Sequence, residues 1–338
     1  MRVFAVRSVL FSMMLLLAAA PVARSNDARK KQQVDSLFAN AAVANLREHN
    51  SPPFHLRLEI HATHLSPKPL DGTYDEVWRA ANAWQRQISF PGFAQQEVGD
   101  SEGRWLARNL DFRPHAIYVL SRAMETAMPV SLQPEEQIRK LSDRKSDGVD
   151  LHCLELKREN WERTLCFDSR GPLVSSEDHD TIHDWRLRLE YLDFQKFGEK
   201  VYPRHMRVFQ NGEQVLDMKV AELNELPDAA PAHFDHPAAT RLMAVCDRWE
   251  GSTPVKKIQP QYPPEARGKQ QQGTVTLYVL LAADGLVEQV KLLESAGSAL
   301  DNASIQAVKQ WVYAPTACGA KPLPSEMEVQ INFSLRPH

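Results

Sequence analysis

The period of apolar positions changes several times along the chain, and each change predicts an element. Val9 to Ala20 is an uncharged, mainly apolar run, preceded by Arg2 and Arg7 and followed by Ala23-Arg24-Ser25. A positive start, a short apolar stretch and small residues at the cleavage positions predict a signal peptide over residues 1–25. An uncleaved inner-membrane anchor from Val3 to Val22, broken by Arg7, is the competing reading, although a span needs about 20 apolar residues. From Asn26 to Asn50 the spacing of Val34, Leu37, Phe38, Ala41, Ala42 and Leu46 is helical. Ser51-Pro52-Pro53 ends that helix, because proline lacks the amide donor and restricts the residue before it.

The period then falls to two. Phe54, Leu56, Leu58 and Ile60 alternate with His55, Arg57, Glu59 and His61, as in a half-buried strand. Asp71-Gly72 is expected to turn the chain into a strand over Thr73–Arg79, with another around Trp84–Phe90. Arg113–Met124 and Pro134–Leu141 carry helical spacing. Asp150–Lys157 and Arg163–Asp168 read as paired strands. A Glu159-Asn160 turn between them would set Cys153 opposite Cys166, within bridging distance. Strands are expected again at Trp185–Tyr191, Tyr202–Phe209 and Val215–Leu223, with Asn211-Gly212 as a hairpin signal. The Pro-, Ala- and Asp-rich stretch Pro227–Pro237 reads as a loose linker.

Beyond the linker the pattern sharpens. Residues 275, 277, 279 and 281 alternate into an Asp284-Gly285 turn, and a second strand follows over Val287–Leu293. Ser298 is expected to cap a helix, with Asp301 in capping-box position. Leu300, Ile305, Val308, Trp311 and Val312 give that helix one apolar face, and Pro315 stops it. The last strand is expected over Met327–Leu335, with Val329, Ile331 and Phe333 on one side. The fold class is therefore α+β: a mostly antiparallel β half-barrel over 26–236, a linker over 237–252, and a small αββαβ domain over 253–338.

Composition narrows the function classes. A formal net charge of −3 argues against a nucleic-acid protein, since phosphate binding needs a basic face. Four cysteines in an exported chain meet an oxidising compartment. Cys153–Cys166 and Cys246–Cys318 are the expected disulfides, since no C-x-x-C spacing suggests a metal. No cysteine follows the apolar run, which argues against a lipoprotein.

Two resemblances carry the functional expectation. Gln259-Pro260-Gln261-Tyr262-Pro263, Gly273-Thr274-Val275, Asp284-Gly285, Leu300-Asp301, Trp311 with Tyr313-Ala314-Pro315, and Gly319 before Lys321-Pro322 occur in an order that resembles the TonB C-terminal domain, over about 253–336. That resemblance implies strand addition, in which a partner's extended segment joins the edge of the last strand. It implies a periplasmic protein whose partner is an outer-membrane transporter or another envelope protein. The partner-binding residues would be Gln259, Pro260, Gln261, Tyr262, Val329, Ile331 and Phe333. For Tyr262, Pro263, Val329 and Phe333 the plainer alternative is a role in the domain's own core; the amides of Gln259 and Gln261 favour binding. The chain departs from a force-transducing TonB. Ser8 is followed four residues on by Ser12, and Ser12 by Leu16, so a Ser-x-x-x-His pattern is missing, as is a long Pro-rich spacer. Binding of a protein segment follows from the resemblance; energy coupling does not.

The first domain is similar in its order of strands and helices to the LolA and LppX superfamily, with Asp71-Gly72-Thr73-Tyr74 and Arg188-Leu189-Glu190-Tyr191 as local pieces. This implies, as an alternative function, a periplasmic carrier of lipid or lipoprotein. Phe54, Leu56, Leu58, Ile60, Trp84, Ile88, Leu187 and Leu189 would line its cavity, or would simply fill a sheet core against the helices. Catalysis has no motif to rest on. Asp178-His179-Asp180 with His183 and Asp184 reads as a solvated loop rather than a metal site; the pairs His61/His64 and His233/His236 do not converge. No cofactor is expected.

Overall fold

The structure is a computed structural model, and it describes residues 20–47, 51–63, 68–125, 132, 135–146, 148–169, 171–181, 185–227, 234–237, 240–244, 254–316 and 321–335. Residues 1–19 of the expected leader, Pro134, Cys246 and Cys318, and His64, His183, Asp184 and His233 lie outside the described residues; α1 runs through the expected cleavage position at Ala23-Arg24-Ser25. No described helix is long and apolar enough to cross a membrane.

The first helix, α1 (Ala20–Ala41), runs into a 3-10 turn at Ala42–Ala44. The first half of the sheet is β1 (Phe54–Ala62), β2 (Leu70–Ala80), β3 (Ala83–Phe90), β4 (Phe93–Gly99) and β5 (Arg104–Arg108). Helix α2 (His115–Glu125) follows. The second half is β6 (Gln137–Ser146), β7 (Val149–Arg158), β8 (Trp161–Asp168), β9 (Leu173–Asp180), β10 (Trp185–Phe197), β11 (Lys200–Gln210) and β12 (Glu213–Glu225). With β13 (Arg241–Met243), these build one 13-stranded sheet ordered β13-β5-β4-β3-β2-β1-β12-β11-β10-β9-β8-β7-β6. Two meanders meet where β1 pairs antiparallel with β12, and α2 lies on the connection from β5 at one side to β6 at the other.

One face of this sheet carries the core. Phe54, Leu56, Leu58 and Ile60 of β1 are at most 2% exposed and pack with Val34 and Phe38 of α1 and with Ile117 and Leu120 of α2. The period-two reading of β1 therefore holds. Trp84 closes over Gly99, where an added Cβ would lie 1.9 Å from the indole. Asn211 and Gly212 both adopt positive φ, 51° and 89°, as a tight hairpin turn demands.

Cys153 pairs with Cys166 across β7 and β8 and is bridged to it. The separation of 13 residues predicts a loss of about 2–3 kcal/mol when both are changed to serine, on the loop-entropy scale. Urea unfolding of the double variant, compared with the wild type with and without reductant, checks this.

Three sequence expectations fail here. Asp71-Gly72 is no turn: both residues lie inside β2, opposite His61 and Ile60. Of the expected helix Pro134–Leu141, residues 137–141 lie in the strand β6. A register shift between Ile138 and Lys140 brings Ile138 opposite Leu156 and Leu141 opposite Leu154. The bulge places two residues three apart on one face and so imitates helical spacing. The segment 178–180 is not a loop but the end of β9, where Asp178 accepts from Arg163 Nε at 3.0 Å and Arg122 Nη2 at 3.3 Å. Among the described residues no group of three or more His, Cys, Asp or Glu could hold a metal.

The remainder is the C-terminal module: β14 (Pro254–Lys256), α3 (Pro264–Gly268), β15 (Gly273–Leu281), β16 (Val287–Glu294), α4 (Ser298–Val308), β17 (Val312–Tyr313) and β18 (Ser325–Phe333). Its sheet is ordered β16-β15-β18, with β14 and β17 as a separate pair. Val275, Leu277, Val279 and Leu281 face a second core with Leu300 and Val308 of α4. Ser298 is not the cap. Gly297 precedes the helix, and Asp301 takes the capping role by accepting from the Ala296 amide at 3.0 Å and the Ser295 hydroxyl at 2.6 Å. Trp311 and Val312 lie past the end of α4. The expected linker over 237–252 contains β13, which extends the large sheet.

Candidate functional site

The last strand, β18, pairs with β15 along its whole length, from Ser325↔Leu281 to Phe333↔Gly273. On its other side no strand pairs with it among the described residues, so it presents a row of backbone donors and acceptors. Its side chains alternate strictly between two environments.

Val329, Ile331 and Phe333 point into the module's core and are at most 9% exposed. Three of the seven sequence-predicted binding residues are therefore core side chains, and only their backbone is available at the edge. Tyr262 is half-buried, stands edge-on to Phe333 at 5.4 Å, and donates its hydroxyl to the Gln271 carbonyl. Its segment is pinned by Trp311, whose indole N–H donates to the Ile258 carbonyl at 2.7 Å. Gln259 and Gln261 are exposed and Pro260 is half-buried beside them. The structure thus brings the 259–262 segment to the Phe333 end of β18 through Tyr262, with the two amides facing solvent.

The opposite face of β18 carries Glu326 and Glu328, whose side chains are only 2% and 4% exposed. Glu326 accepts from Arg108 Nη2 at 2.8 and 2.9 Å, from Arg104 Nη2 at 3.4 Å and from the Tyr278 hydroxyl at 3.1 Å, and lies 3.5 Å from Arg113 Nη1. Burial alone would raise its carboxyl, but Arg113, Arg108 and Arg104 outweigh it and hold the group down to about 2. His115 lies 2.8 Å from Glu328 through Nδ1 and 3.2 Å from the Gln210 side-chain oxygen through Nε2. With an oxygen acceptor at each ring nitrogen, the imidazolium is the form that satisfies both. Burial opposes that charge, and the bond to Glu328 overrides it, taking the imidazole up to about 9. Burial also pushes the Glu328 carboxyl up. Because Arg113 stands near the pair, we place the shared proton on His115.

None of Arg104, Arg108, Arg113, His115, Glu326 or Glu328 was singled out by sequence reasoning. In the sequence, Glu326-Met327-Glu328 alternates as a solvent face would. Only the fold reveals that this face meets another domain.

The eight residues of the expected lipid cavity are all in the core of the large sheet, between 0% and 6% exposed. A cavity of about 640 Å³ opens at one end of β1, β2 and β12, lined by Glu59, His61, Asp71, Asp217 and Lys219 among others; Ile60 is the one expected cavity residue that reaches it.

Residues 258–335 match the family model described as Gram-negative bacterial TonB protein C-terminal, and they form a TonB C-terminal domain. Protein TonB of Vibrio cholerae is 35% identical over 80 residues, covering 23% of this chain and 33% of that protein. Protein tonB2 of Pseudomonas aeruginosa is 36% identical over 77 residues, covering 22% and 28%. The chain spans about a third of the length of the curated relatives it matches. The large sheet resembles a LolA superfamily protein from Nitrosomonas europaea, with a TM-score of 0.40 and 13% identity over 58% of this chain and 95% of the other.

Proposed function

We propose that this is a periplasmic envelope protein whose C-terminal module binds an extended segment of an outer-membrane transporter, or of another envelope protein, by strand addition to β18. The outer edge of β18, which pairs with no strand among the described residues, supports the reading most directly. Because Val329, Ile331 and Phe333 are turned inward, the partner is recognised mainly through its backbone. Selectivity then rests on what lies beside the strand, notably Gln259 and Gln261. The TonB proteins that match residues 258–335 support an outer-membrane partner.

Backbone recognition has a distinctive signature. Synthetic peptides covering the periplasmic N-terminal segments of the same cell's outer-membrane transporters serve as probes. The tightest binder is then N-methylated one residue at a time. Each methyl on an amide that faces β18 removes a ladder hydrogen bond worth about 1 kcal/mol and adds a steric clash. Affinity should fall about tenfold or more at every second residue and stay unchanged between them. Sensitivity without that two-residue period, or binding indifferent to N-methylation, sinks the strand-addition mechanism.

A further inference from the structure

One short segment of the N-terminal domain crosses the back of the module's sheet. Asp111 lies 2.8 Å from Lys291 Nζ and 3.0 Å from Gln289 Nε2, both on β16. Phe112 meets Tyr278 of β15 at 6.5 Å between ring centres. Arg113 and His115 then reach Glu326 and Glu328 on β18. The contacts run in strand order, β16 to β15 to β18. His115 continues the crossing to Gln210, beside the β11–β12 turn. Strand addition needs a corridor about 4.8 Å wide along the free edge of β18. His115, at the start of α2, meets Glu328 of that strand through one ring nitrogen and Gln210, next to the β11–β12 turn, through the other.

The chemistry of the contact is that of a catch. Its apolar part is small: Leu106, Met243, Tyr278 and Leu280, with Phe112 and Leu293 packed against them. The rest is polar and centred on ion pairs, with Arg108 and Glu326 showing 6% and 2% side-chain exposure. Buried ion pairs fix registry more than they add net stability, because desolvation offsets most of the attraction. Polar contacts between domains separate more readily than apolar ones. The docked arrangement is thus specific without being permanent.

We propose that residues 111–115, with Arg104 and Arg108, form an autoinhibitory strap that holds β18 against the N-terminal domain and keeps partner segments from its edge. Strand addition then requires the module to lift away, which frees Glu326 and Glu328 from their basic partners. This rests on the strand-addition reading and adds what gates it. When only a fraction f of molecules is lifted, the apparent dissociation constant is the intrinsic one divided by f.

The test uses the full chain with two variants that break the catch from opposite sides. Arg108→Ala with Arg113→Ala acts on the N-terminal domain, and Glu326→Gln acts on the module. Hydrogen exchange reads docking, and titration with the transporter-segment peptides reads the edge. In both variants the amides of 104–118 and 325–329 should exchange at least tenfold faster, and peptide affinity should rise at least tenfold. Unchanged exchange in both variants overturns the strap. Faster exchange with unchanged peptide affinity overturns the inhibition and leaves strand addition standing. Faster exchange with no peptide binding by any form removes strand addition, and the gate with it.

Discussion

Replacing Glu76 by alanine should destabilise the N-terminal domain by about 3–5 kcal/mol, the cost of leaving a buried charge without its partner. Glu76 is fully buried in β2 and is the centre of a four-residue cluster. It accepts from Arg47 through both carboxylate oxygens, from Arg86 Nε at 3.1 Å and from the Tyr74 hydroxyl at 3.1 Å. Arg47 retains 23% side-chain exposure and can turn toward water. Arg86 cannot do so as easily: it lies over the Trp84 ring at 4.3 Å, and the carboxylate then nearest to it among the described residues is Glu97, at 3.9 Å. Most of the cost therefore arises at Arg86. Glu76→Gln keeps the shape and one acceptor, and should lose less. Urea unfolding of the two variants beside the wild type measures the difference.

The same residue sets an acid limit. Burial raises the Glu76 carboxyl, but Arg47 and Arg86 prevail and bring it down from 4.5 to about 2. A folded value below the unfolded one means the stabilisation is complete above about pH 4.5 and disappears as pH falls through about 2. In that window the unfolded chain takes up the proton first. Glu76→Gln should flatten the acid limb of the stability profile. It should not abolish it, since Glu326 is depressed into the same range. An acid limb identical to that of the wild type would mean that the arginines do not hold Glu76 ionised.

What the sequence made legible follows from how local each signal was. The register of Cys153 against Cys166 and the Asn211-Gly212 turn depend on a few neighbouring residues, and both stand in the fold. The alternations of β1, β15 and β18 could be read because their inward positions are apolar. In β4 and β5 the inward positions include Gln95, Glu97, Arg104 and Arg108, so no apolar period existed to find. Their burial is explained by ion pairing: Arg104 binds Glu97 at 2.8 Å and also meets Glu326 from the other domain. Partners more than 200 residues apart leave no trace in local spacing. The strand β13 was hidden for a related reason. Three residues in a Pro- and Ala-rich stretch become a strand only because β5 offers an edge.

Ile331→Pro should remove peptide binding and unfold the module while the N-terminal domain keeps its own cooperative transition. Ile331 sits in the middle of β18, 8% exposed, opposite Val275. Proline deletes an amide donor that serves either β15 or the incoming strand, and its fixed φ and ring disturb the strand in mid-length. The isoleucine side chain also leaves the core formed with Leu277, Leu300 and Phe333, and large-to-small changes of this kind cost about 2–5 kcal/mol. A domain of fewer than a hundred residues has little reserve against that sum. The N-terminal domain has an independent core, built from α1, α2 and the large sheet, to which no residue of β14–β18 contributes. Hydrogen exchange should therefore show protection lost over 273–281 and 325–333 and retained over 54–62. Peptide binding that survives the substitution would place the partner site somewhere other than β18. Collapse of protection over 54–62 would mean that the ionic contact at Glu326, and not the apolar core, is what keeps the N-terminal domain folded.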